Sequence, residues 1–109
     1  MAYDEGLAQR IRESLSELPG LAEKKMFGGV GYMIRGNMAC GVHGDEMIVR
    51  VGPDSYEEAL ASTHTRPFDM TGRPMKGWVM VAPDGIESDA ELDRWIQRGV
   101  EFALSLPPK

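Results

Sequence analysis

Between residues 25 and 51 the chain changes direction at very short intervals, and this limits its architecture more than any other feature. Lys25–Ile34, Met38–Val42 and Met47–Val51 are rich in aromatic, β-branched and methionine side chains. Only Arg35–Asn37 and His43–Glu46 separate them. Runs of this composition read as strands. Connections this short join antiparallel neighbours and leave no room for a crossover. The segment is therefore expected to be a three-stranded meander. Gly28, Gly29 and Gly31 lie inside the first of these runs and point to a bulge or a close strand crossing.

The flanking segments carry helical periodicity. Leu7, Ile11, Leu15 and Leu18 share one face of a helix expected over about 4–18, with Asp4 as N-cap and Pro19–Gly20 as the stop. After the meander, Asp54/Glu57 and Ser55/Glu58 have capping-box spacing, and a short helix is expected over 56–62. Arg66–Met70 and Met75–Val81 read as a fourth and a fifth strand, with Pro67 better suited to an edge. Ser88 and Glu91 form another capping box, opening a last helix with Leu92, Ile96, Val100, Ala103 and Leu104 inward. The order is α-β(3)-α-β(2)-α. The expected fold class is α+β, two-layer, an antiparallel sheet packed against helices, in a single domain over 1–109.

One side of that sheet is unusual. Strand alternation puts Ile48 and Arg50 on the same side as Lys76, Trp78 and Met80. That side is too apolar for free solvation and too basic for a dry core. Charge is divided in the same sense. Residues 1–23 and 84–109 each carry a net of −3, whereas 24–83 carry +1, within a chain of net charge −5. Ile48, Arg50, Lys76, Trp78 and Met80 are thus candidate partner-binding residues, since Trp and Arg are enriched in interfaces. Covering by the last helix or by the 63–74 segment is the alternative.

Chemistry-bearing residues are sparse. His43 lies in a turn with Asp45 and Glu46, without a third converging group. His64, Arg66 and Arg73, with Asp69 among them, are a candidate anion site; surface ion pairs in a loop are the plainer account. Cys40 is expected to be a buried strand residue, and as the lone cysteine it excludes an internal disulfide. The glycines at 28–31 do not match a phosphate loop. No catalytic set, metal set or cofactor fingerprint is present, so neither enzyme activity nor a cofactor is expected. No apolar run approaches the roughly 20 residues that span a bilayer, and the N-terminus lacks signal-peptide character. The expected compartment is the cytoplasm. The negative net charge disfavours a nucleic-acid or membrane partner.

Lys25–Tyr32, Val49–Gly52, Arg66–Phe68, Gly72–Met75, Gly77–Trp78 and Trp95–Ile96, in this order and spacing, resemble the TfoX/Sxy N-terminal domain family. The resemblance covers almost the whole chain. It implies the same α-β(3)-α-β(2)-α order and a regulatory role. Full-length members are positive regulators of natural competence in some bacteria, are thought to act with the cyclic-AMP receptor protein, and carry a further C-terminal helical domain. This chain ends at Lys109 and is expected to be a stand-alone member. The resemblance supplies no catalytic residues. The expectation is a small regulatory or adaptor domain that contacts a protein, another regulator or a second copy. Direct nucleic-acid binding and a small-ligand or enzyme role are the alternatives.

Overall fold

The computed structural model describes residues 3–26, 28–69 and 75–108. Its elements are α1 (Glu5–Leu15), β1 (Leu21–Met26), β2 (Gly29–Ile34), β3 (Asn37–His43), β4 (Glu46–Arg50), α2 (Tyr56–Leu60), β5 (Thr65–Pro67), β6 (Trp78–Val81) and α3 (Asp89–Ser105). Short 3-10 turns at Pro53–Ser55 and Pro83–Gly85 precede α2 and α3. The strands form one antiparallel sheet in the order β1-β2-β3-β4-β6-β5. The α+β class and the antiparallel sheet are as expected, but the meander has one strand more. The run expected as a single strand from Lys25 to Ile34 is divided between two antiparallel strands, and the chain upstream, Leu21–Met26, pairs with Gly29–Ile34. The order is therefore α-β(4)-α-β(2)-α.

Local signals account for most element ends. Asp4 accepts the Leu7 N–H at 3.1 Å and starts α1. Arg35 and Gly36 both have positive φ, as a two-residue hairpin turn requires. Ser88 accepts the Glu91 N–H at 3.1 Å and donates its hydroxyl to the Glu91 carboxylate at 3.0 Å, completing the box at α3. Ser55 makes no such capping bond, and α2 is only five residues long. Pro67 lies in β5, an edge strand, as its missing N–H demands.

The helices cover one face of the sheet. Leu7, Ile11 and Leu15 of α1 and Leu92, Ile96 and Val100 of α3 pack on Val30, Tyr32, Cys40, Val42, Met47 and Val49. Tyr32 is fully buried and donates its hydroxyl to the Ala8 carbonyl at 2.8 Å, tying α1 to the sheet. Arg12 bonds Glu23 in a bidentate pair at 2.8 and 2.7 Å, fixing the same helix to β1. Asn37, the one buried polar side chain among the described residues, donates to the Pro107 carbonyl at 2.9 Å.

Burial pushes the Cys40 thiol up to about 12 from an ordinary 9.0. It also raises the Tyr32 phenol above its ordinary 10.0. Both groups ionise more readily in the unfolded chain. Stability is therefore full below about pH 9 and lost as pH rises, first through Cys40 and then, above about 10, through Tyr32. Each group contributes a slope of up to about 1.4 kcal/mol per pH unit. Urea midpoints taken from pH 8 to 11 are expected to fall, and Cys40→Ala is expected to remove the early part of the decline. An unchanged profile in that variant would contradict the assignment.

Candidate functional site

Among the described residues, no helix packs on the opposite face of the sheet. Cross-strand register places Ile48 beside Met80 and Arg50 beside Trp78 on that face. Met38 joins them through a slip in pairing. Tyr32 pairs with Cys40 but Met33 pairs with Met38, so Ala39 is an extra residue in β3. Such a bulge reverses the facing of whatever precedes it. Met38 thereby turns to the open face, while Ala39 and Cys40 stay in the helix-side core.

The apolar centre of this face is covered by the chain itself. Phe68 lies over Ile48 and Met80, which are 6% and 1% exposed. Its N–H donates to the Trp78 carbonyl at 3.4 Å, and its own carbonyl receives the Met75 N–H at 3.0 Å. The Phe68 and Trp78 rings meet tilted, 6.0 Å apart. For the centre of the face the alternative applies: the 63–74 segment covers it with Phe68, so Ile48 and Met80 form a floor beneath that ring and are not available as direct contacts. Trp78 and Met38 remain half-buried around them, and Met75 is exposed.

Arg50 occupies the end of the face nearest α3. Its guanidinium lies 5.1 Å from the Trp78 ring centre and 5.2 Å from that of Phe102 on α3. A cation between two aromatic faces is held by their quadrupoles and loses little further freedom on binding. Among the described residues neither Arg50 nor Lys76 has an ion-pair partner. The Gly77 carbonyl takes the N–H groups of Val51 and Gly52 at 2.8 and 3.0 Å, which ties the turn before β6 to the end of β4. The strand expected from Met75 begins at Trp78, so Lys76 lies in that turn and alternation does not fix its side. At the other end, Arg66 is neutralised by Glu46 and Asp69. Its hydrogen bond to Glu46 raises its pKa further. The face thus ends in an ordered, unneutralised arginine plane beside an aromatic wall, with an exposed lysine in the adjoining turn. Such a plane presents in-line N–H donors for a carboxylate.

A family model for the TfoX N-terminal domain matches residues 13–103. The chain belongs to that family. No curated protein matches it significantly.

In this TfoX N-terminal domain two of the candidate anion residues, His64 and Arg66, lie on different sides of the sheet. Arg66 pairs with Met80 in register and lies on the open face. His64 lies at the other side of that sheet edge, against α3. Arg73 falls outside the described residues. His43 ends β3, and Cys40 is wholly buried. Among the described residues no group of three His, Cys, Asp or Glu could hold a metal ion. No helix is long and apolar enough to cross a membrane. Sequence reasoning missed Phe68, Met38 and Phe102 as parts of the face. Phe68 and Phe102 arrive from distant segments without a local signal, and Met38 depends on the bulge.

Proposed function

We propose that this domain is a regulatory adaptor without chemistry of its own, docking on a protein partner in transcription control through the open sheet face. The observation that carries this reading is Arg50, stacked between Trp78 and Phe102 without a counter-ion among the described residues. Ordering a long cationic side chain costs side-chain entropy. A partner carboxylate would complete the site, with Trp78, Met38 and Met75 as an apolar rim. The partner chemistry is thus an acidic residue within an apolar patch. Nucleic acid suits the face less well. With Arg66 neutralised, the cations on this side without an ion-pair partner among the described residues are scattered: Arg50, Lys24 opposite Gly31 on the far strand pair, and Lys76 in the turn before β6, in a chain of net charge −5.

The test is site-specific photocrosslinking in cells. A crosslinker at Lys76 is expected to trap a protein that a crosslinker at Gln97, exposed on α3, does not. Arg50→Glu and Trp78→Ala, with folding checked by circular dichroism, are each expected to weaken the trapped complex by about tenfold or more. Equal trapping from both positions, or full binding by both variants, would remove the face from consideration. Trapped nucleic acid in place of protein would also refute the reading.

A further inference from the structure

On the helix side, the link between α2 and β5 runs beside the first half of α3. Ser62, Thr63 and His64 on one wall, and Arg94, Trp95 and Arg98 on the other, enclose a cleft of about 300 Å³. The Arg98 guanidinium carbon lies over the Trp95 ring, 4.7 Å from its centre, which restrains its position. Its carboxylate partner, Glu58, is 3.2 Å away with a side chain that is 84% exposed, so that pair sits at the rim and is easily exchanged. Arg94 has no ion-pair partner among the described residues. Glu91 also lines the cleft, but its carboxylate accepts the Ser88 hydroxyl in the helix cap.

The loop wall adds a second, independent observation. His64 has φ of 70°, a left-handed conformation rare outside glycine. Its carbonyl is pinned by the Ala82 N–H at 2.8 Å. The N–H groups of Thr63 and His64 donate to no described residue. Consecutive free amides running into a left-handed residue are a recurrent anion cradle. Strained backbone held by its surroundings also concentrates where ligands bind.

We infer that this cleft binds a small phosphate monoester. Arg94 and Arg98 take the phosphate oxygens together with the Thr63 and His64 amides, and the remaining volume holds a short carbon skeleton. Arg50 is not among the residues lining this cleft, and the inference does not rest on the docking role of the open face.

Titration of the ¹⁵N-labelled protein with glycerol phosphate and with inorganic phosphate tests this. Glycerol phosphate is expected to give saturable amide shifts centred on Thr63 and His64, whereas sodium chloride at matched ionic strength gives none. Arg94 is exposed, so Arg94→Gln is expected to keep the fold, seen as an unchanged spectrum away from the cleft, and to weaken binding about tenfold. Shifts reproduced by chloride, no saturation into the tens of millimolar, or undiminished binding by Arg94→Gln would overturn the inference. Binding of inorganic phosphate without glycerol phosphate would overturn it too, since the cleft would then take an adventitious ion only.

Discussion

Gly52→Ala is expected to cost about 3 kcal/mol of stability and to dismantle the Arg50 site in the same step. Gly52 has φ 88° and ψ 158°, a region open essentially to glycine alone. A side chain there is strained whatever space surrounds it, at a cost of about 1–3 kcal/mol. There is also no space, because an added Cβ would lie 2.5 Å from two carbons of the Phe102 ring. Phe102 is half-buried and can swing outward, but Arg50 then loses one of its two aromatic walls. Urea unfolding of Gly52→Ala, Phe102→Ala and the double variant separates the two effects. The double variant is expected to be more stable than the sum of the singles by about 1 kcal/mol or more, because the clash is gone and only the backbone strain remains. Strict additivity, or an unchanged midpoint in Gly52→Ala, would show that the ring does not rest on the glycine.

Gly99→Ala is expected to destabilise the fold by about 3 kcal/mol, against the usual trend for a helix interior. Intrinsic helix propensity alone favours alanine by about 1 kcal/mol. Against this, an added Cβ at Gly99 would lie 2.3 Å from the Ala39 carbonyl oxygen and 3.1 Å from its carbon. The obstacle is backbone in a central strand, which no rotamer change relieves. Either α3 lifts off β3 and β4 along its buried stripe or the bulge deforms. Thermal or urea denaturation decides the sign. A variant more stable than the parent would show that α3 does not bear directly on the strand.

Much of this architecture was legible locally. The Ser88 box, the Asp4 cap, the turn at Arg35–Gly36 and the edge position of Pro67 each reside in a few adjacent residues and were found where expected. The first strand was not. Leu21–Met26 contains Ala, Glu and two Lys, which favour helices and solvent. Only as an edge strand, flanked by one neighbour and charged against further pairing, does that composition make sense. The open face was half legible. Alternation grouped Ile48, Arg50, Trp78 and Met80 correctly, because period-two facing is a local property. The covering segments were among the readings, since the 63–74 segment supplies Phe68 and the last helix supplies Phe102, but which side chains do the covering depends on tertiary contacts. His64 likewise meets Arg94 and Arg98 across some thirty residues of sequence and not its near neighbour Arg66.

The extra residue in β3 has a mechanical meaning. Ala39 stands at the point where one strand passes from facing outward to facing inward, and its carbonyl is the surface on which the long helix rests. Met38, one peptide bond away, belongs to the exterior. Anything that grips that methionine from outside therefore pulls on a hinge pin shared with the opposite layer, and the two sides of this small sheet cannot be displaced independently.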